Sequence, residues 1–260
     1  DGALQSFEWT FGDGATATGP TAEHSYDEAG SYTVSLTVTD DDDVTNTKTA
    51  GVSVIDPNQT PTVAFRAAAA TNVNATIARV TVPASVLPGD QLVLLSTVNR
   101  LDSTVTGPAG WTLLDSASNT TATVQTFAWT KQATAGDAGT SVAVGNSAVA
   151  KTAVQLVAYS GAQSVSAHQV AIDTVSRAER TTPVVPVGAP GSALVSYWAD
   201  KASDTGPWTL PAGVTQRNQT IGSGSGNITA GIADTTSLGA GTAGGFTATA
   251  DSANRRGVVW

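Results

Sequence analysis

The chain has 260 residues, long enough for two domains and a sizeable buried core. Its net charge of −9 provides no cationic surface for phosphate, which makes nucleic acid and anionic membranes poor partners. Cysteine and methionine are absent, so disulfides and thiol chemistry are excluded, and no apolar run is long enough for a membrane-spanning helix. Charged residues make up 13%, about half the usual share, and Gly, Thr, Ala and Ser fill the gap. That mixture favours strands, turns and a hydroxyl-rich surface.

In chain order, Phe7, Trp9 and Phe11 alternate along a first strand, and Gly12-Asp13-Gly14 forms a tight turn. Tyr32, Val34, Leu36 and Val38 alternate on a second strand, with Ser31, Thr33, Ser35 and Thr37 facing outward. A last strand runs from Gly51 to Ile55. The run WTFGDG from Trp9, followed by HSYDEAGSYTVSLTVTD up to Asp40, resembles the PKD domain. The resemblance implies an immunoglobulin-like sandwich that serves as a spacer in secreted and cell-surface proteins. Thr10 departs from it, since the family usually has Asp there. The family's opening strand has no counterpart here, which leaves the expectation of a truncated domain over 1–55 with an open edge. His24 stands where the pattern has an aromatic residue or histidine, and is read as structural.

Residues 56–61, with Pro57 and Pro61 in a polar stretch, read as a linker. From 62 to 260 strand follows strand: Ile77 to Val82, Gln91 to Val98, Val124 to Thr130, Ser141 to Val144 and Thr152 to Tyr159. Pro83, Pro88-Gly89, Gly107-Pro108 and Gly136-Asp137 punctuate them. Ala67 to Ala70 could form a helical turn. An internal repeat relates roughly 89–160 to 191–260. Gly89-Asp90-Gln91-Leu92-Val93 is echoed by Gly191-Ser192-Ala193-Leu194-Val195, and Thr106-Gly107-Pro108 with Trp111 by Thr205-Gly206-Pro207 with Trp208. Lys151 to Leu156 lines up with Arg255 to Trp260. The expected fold is therefore all-β: a PKD-like sandwich, then a larger jelly-roll-like β-sandwich made from the repeat, with two small sandwiches side by side as the rival arrangement. The second copy stops at Trp260 in mid-strand, so the chain reads as truncated at both ends.

His24 and His168 lie near no serine elbow or metal-ligand spacing, and the carboxylates fall mostly in turns, so an enzyme is not expected. No cofactor is required. The acidic run Asp40-Asp41-Asp42-Asp43 would attract Ca2+ if any ion, and the resemblance makes Asp1 and Asp40 the nearest ligands; the alternative is a solvated acidic hairpin. Trp111 and Trp208, each beside a Gly-Pro step, are candidate stacking platforms for sugar rings or else plugs at the ends of the core. Trp129 and Trp198, within alternating strands, belong to the core. The expected function is a non-catalytic extracellular or cell-surface module, structural or adhesive. Its partners would be copies of itself or neighbouring domains, joined into filaments through open edges near Asp1 and Trp260. The alternative is a carbohydrate-binding module attached to a secreted polysaccharide-degrading enzyme.

Overall fold

A computed structural model describes residues 3–54, 62–202, 206–252 and 256–260. The chain divides into two compact units, Asp1–Thr60 and Pro61–Trp260. The expected linker 56–61 lies outside the described residues.

In the first unit, β1 (Leu4–Thr10), β2 (Thr16–Thr18), β3 (Gly30–Asp40) and β4 (Thr45–Val54) form one antiparallel sheet in the order β2-β1-β3-β4. Phe7 pairs with Val38 and Trp9 with Leu36, so the apolar residues share one face and the hydroxyls the other. On the hydroxyl face Thr10 Oγ1 bonds Ser35 Oγ at 2.6 Å, which gives this departure from the family pattern a partner of its own. The turn after β1 needs Gly12, at φ 85°, because a Cβ there would meet the backbone of Thr33 at 2.8 Å. Phe11 stacks on His24 at 4.2 Å, His24 meets Tyr26 edge-on at 4.6 Å, and Tyr26 stacks on Tyr32 at 4.1 Å. His24 Nε2 also lies 2.6 Å from Asp13 Oδ2, so the imidazole ties the turn to the aromatic column.

The strands of the second unit fall into two groups, termed copies after the repeat that the sequence leads one to expect. Its first copy holds β5 (Ala64–Thr81), β6 (Gln91–Val98), β7 (Val105–Thr106), β8 (Thr112–Asn119), β9 (Val124–Gln132) and β10 (Ser141–Ser160). The second holds β11 (Ala171–Asp173), β12 (Glu179–Thr181), β13 (Val184–Val187), β14 (Ser192–Ala202), β15 (Trp208–Thr209), β16 (Thr215–Thr220), β17 (Asn227–Leu238), β18 (Gly241–Gly244), β19 (Thr247–Ala250) and β20 (Arg256–Val259). The main sheets run β5-β10-β6-β9-β8 and β11-β20-β14-β17-β16, the same order strand for strand. The far ends of β5 and β10, with β7, fold over the outer face of the first sheet; β12, β19 and β15 do so over the second. Ala67 to Ala70 lie within β5 and pair with β10, so the helical turn expected there is a strand.

Alternation assigns each side chain to one of three cores. Leu92, Leu94, Trp129, Val154 and Leu156 pack with Val80, Val142 and Val144 beneath the first cover. Trp198, Trp208, Ala233 and Val259 pack with Ala248 and Ala250 beneath the second. Val93, Leu95, Val157 and Tyr159 meet Tyr197, Ile228, Ile232 and Trp260 between the two main sheets. Each group of strands thus has its own core, and the two groups share a third.

The register also corrects the alignment of the copies. Lys151 is bonded beside Asn99, and Arg256 pairs with Lys201, so Lys151 corresponds to Arg256 rather than to Arg255. A one-residue slip would turn every side chain of β20 to the wrong face. β20 lies between β11 and β14, paired on both sides, so the strand that ends at Trp260 offers no open edge.

Two measurements test these assignments. Ile232→Ala, in the shared core, should lower stability by about 2–5 kcal/mol in chemical denaturation, against less than ~0.5 kcal/mol for exposed Leu113→Ala. The backbone N–H of Ala15, and then the His24 hydrogen bond, hold Asp13 below the usual carboxylate range. Its contribution to the first unit is present above the unfolded pKa of about 3.9 and is lost as pH falls through the lower folded value. An acid melting series should therefore flatten in that window in Asp13→Asn, and an unchanged slope would contradict the assignment.

Candidate functional site

The end of β6 delivers Asn99, Arg100 and Asp102 to the rim of the sandwich, beside a bulge in β10. The β5–β10 register shifts between Gly145 and Ala150, which throws residues 146–149 out of the ladder. Asn99 clamps the base of this feature: its N–H donates to Lys151 O at 3.0 Å, and its Oδ1 accepts from Lys151 N at 3.0 Å. Gln125, largely buried, donates to the carbonyls of Arg100 and Ser103, both at 2.7 Å. Thr104 N donates to Ser147 Oγ at 2.9 Å, and Ser147 N donates to Thr104 O at 3.0 Å. These bonds fix a loop that a hydroxyl-rich sequence would otherwise leave free.

Between loop and bulge lies an open hollow of ≈ 340 Å3, lined by Asn74, Asn99, Arg100, Asp102, Val149, Ala150 and Lys151. Arg100 forks onto Asp102, with Nε to Oδ1 at 2.5 Å and Nη2 paired with Oδ2, while Nη1 donates to Val149 O at 2.8 Å. The guanidinium holds the Asp102 carboxyl below the usual carboxylate range, and the carboxylate in turn raises Arg100. Lys151 Nζ donates to Ser223 O at 2.7 Å and Ser225 O at 2.9 Å, and Asn99 Nδ2 donates to Gly226 O at 2.8 Å. The β16–β17 loop of the second copy therefore holds Asn99 and Lys151, two of the residues that line the hollow.

The residues singled out from sequence lie elsewhere. Trp208 sits on β15 and is 3% exposed in the second core. It has no free face to stack on a sugar, because β15 closes the cover over Trp198 and Ala233. Trp111 is half-buried against the first core. The two tryptophans are also not equivalent. Since β8 matches β16 and β7 matches β15, Trp111 corresponds to Val214 and Trp208 to Val105. Trp129 and Trp198 are core, at 4% and 0% exposure. Asp40 closes its hairpin, with Oδ1 accepting from Asp42 N at 3.0 Å and Val44 N at 2.9 Å. Asp1 lies outside the described residues, among which no three His, Cys, Asp or Glu side chains cluster as metal ligands. The hollow's own residues went unnoticed in sequence. The available signal is Asn99-Arg100-Leu101-Asp102, a charge pair directly after an uncharged, Leu- and Val-rich strand in a chain with few charges.

Residues 1–54 match the family model described as PKD domain. Over 61 residues the chain is 44% identical to the pre-pro-metalloprotease PrtV of Vibrio cholerae, which covers 24% of this chain and 7% of that protein. Over 56 residues it is 39% identical to collagenase ColA of Clostridium perfringens, covering 22% of this chain and 5% of that protein. The chain thus spans under a tenth of the length of these relatives. A solved structure titled for carbohydrate-binding modules from the β-sandwich superfamily aligns with 62% of this chain and 85% of its own, at 16% identity and a TM-score of 0.23.

Burial separates the two tryptophans in a way that stability can read. Trp208→Ala should cost about 3–5 kcal/mol in urea unfolding, while Trp111→Ala, with part of its ring already in water, should cost clearly less. Equal losses would contradict the non-equivalence of the two positions.

Proposed function

We propose that the chain is a non-catalytic accessory region of a larger extracellular degradative enzyme, with the second unit holding that enzyme on a polysaccharide. The observation that carries the reading is the PKD match over residues 1–54, which accounts for only 7% and 5% of relatives named as a metalloprotease and a collagenase. A small module within long proteins of that kind suits a spacer beside a catalytic domain. The second unit supplies a rigid platform, with three cores and a pinned polar hollow of a size at the small end of ligand sites. Asn, Arg and Asp side chains are the planar polar groups that fix hydroxyls in orientation.

A structural or adhesive role is the second reading, and one observation favours it. β5 stands at the edge of its sheet over 18 residues, with Arg66 and Arg79 as its only charges and no proline. Long edges of this kind are templates for pairing with another chain. Self-assembly would use β5 rather than the strand ending at Trp260.

The two readings separate in one pull-down on insoluble cellulose, chitin and xylan, run beside light scattering of the same sample. Retention of a monomer on at least one polysaccharide supports the accessory-module reading. Absence of retention throughout, together with growing assemblies, transfers support to the structural one.

A further inference from the structure

We infer that the hollow bounded by Asn74, Asn99, Arg100, Asp102 and Lys151 is a single carbohydrate-binding subsite that takes a neutral sugar through adjacent hydroxyls. The inference rests on the polysaccharide-holding reading above and adds to it the site, the ligand class and the number of sites.

The argument is a count of hydrogen-bonding capacity. A guanidinium has five N–H donors, and Arg100 spends three of them on Asp102 and Val149. A carboxylate offers about four acceptor positions, and Asp102, with its side chain 70% exposed, has two taken by Arg100. Lys151 spends two of its three donors on carbonyls of the second copy, and Asn99 spends one of its two amide protons there. Asn74 is exposed at the rim, with an amide that carries both donors and acceptors. Donors and acceptors therefore remain side by side, which is the complement of a hydroxyl, itself both donor and acceptor. A fixed Arg–Asp pair can donate to one hydroxyl and accept from its neighbour, so a vicinal diol satisfies it without breaking the pair. Val149, 54% exposed, adds an apolar contact for the C–H edge of a ring.

Charge selects against the other classes. Within the hollow Arg100 is already paired with Asp102, whose exposed carboxylate opposes a polyanion, while Arg100 and Lys151 oppose a metal cation. Among the described residues the second copy does not repeat the site. In the second copy Asn99 is replaced by Lys201, whose Nζ is taken up by Asn99 O, Thr123 O and Thr123 Oγ1. Arg100 is replaced by Ala202, buried at 6% exposure. The counterpart of Asp102, Asp204, lies outside the described residues.

The test is affinity electrophoresis of the 260-residue chain in gels containing xylan, mannan or polygalacturonate, followed by calorimetry with an oligosaccharide of whichever polymer retards it. Asn74→Ala and Asp102→Ala are compared with Arg79→Ala on the cover of the first copy, and thermal melting checks that each variant is folded. The expected result is retardation by a neutral polymer, one oligosaccharide bound per chain, and affinity lowered ~2- to 10-fold by Asn74→Ala and about tenfold or more by Asp102→Ala. Arg79→Ala should bind as the parent does. Retardation that neither Asn74→Ala nor Asp102→Ala weakens overturns the site while leaving the accessory-module reading in place. A preference for polygalacturonate, or two oligosaccharides per chain, overturns the ligand class or the single site. A parent chain that none of these polymers retards and that the cellulose and chitin pull-down does not retain removes the polysaccharide-holding reading itself, and the subsite with it.

Discussion

The second unit depends on the packing of one main sheet against the other. Each sheet must be covered on both faces, so β6, β9, β10, β14 and β17 cannot follow the one-sided alternation of an ordinary antiparallel strand. All eight residues of β6 are buried, alternate ones entering different cores. Polar groups that enter the shared layer must find partners there. Tyr197 Oη donates to Thr97 Oγ1 at 2.9 Å, Trp260 Nε1 donates to Thr126 Oγ1 at 3.0 Å, and Gln155 Nε2 reaches Thr220 Oγ1 and Ala230 O. At the other end Tyr159 Oη donates to Asp234 Oδ2 at 2.7 Å, and Arg217 pairs with Oδ1 at 2.9 Å while its guanidinium lies 3.9 Å over Phe65. Burial and the neighbouring Asp234 push the Tyr159 hydroxyl far up, so it acts as a donor at any ordinary pH.

The two copies face each other as the halves of a two-fold dimer would. β5 lies against β16 and β11 against β8, so equivalent edges exchange partners. The polar contacts follow the same rule. Lys151 of the first copy caps carbonyls in the β16–β17 loop of the second, and its counterpart Arg256 caps Thr121 O in the β8–β9 loop of the first, at 2.8 Å. Asn99 donates to Gly226 O while its counterpart Lys201 donates to Thr123 O. A cation or amide at a strand end satisfies backbone carbonyls that have left the ladder, and it does so across the interface. This pairing makes the two copies a single unit.

Much of this architecture was legible in the residues. The alternation of Phe7, Trp9, Leu36 and Val38 announces the first sheet, and the uncharged Val- and Leu-rich segments Gln91–Val98 and Thr152–Tyr159 match buried strands. The duplication was legible as well, but its register was not. Gly-Pro steps and tryptophans are conspicuous, and they drew Trp111 onto Trp208, although β7 and β15 show these residues to stand at different places. Only pairing partners fix a period-2 pattern to the residue. Ala67 to Ala70 misled in the same way, because alanine favours helices in isolation and only the β10 neighbour makes them strand. The hollow was least visible, because its parts come from β5, the end of β6 and a bulge in β10, which sequence separates by up to 77 positions between Asn74 and Lys151.

The hollow sits where the two copies stop being alike. Repetition of a fold gives each strand-end position two versions, and the structural duties at the interface bind both. Lys151 and Arg256 keep the same duty, and so do Asn99 and Lys201, because uncapped carbonyls at a packed interface would cost each copy alike. One residue further on, no such duty applies to both. Arg100 reaches out to Asp102 and the bulge, while Ala202 is simply buried. Divergence is thus concentrated where symmetry imposes no packing requirement. That is also where a polar side chain can be turned toward solvent without loosening the core.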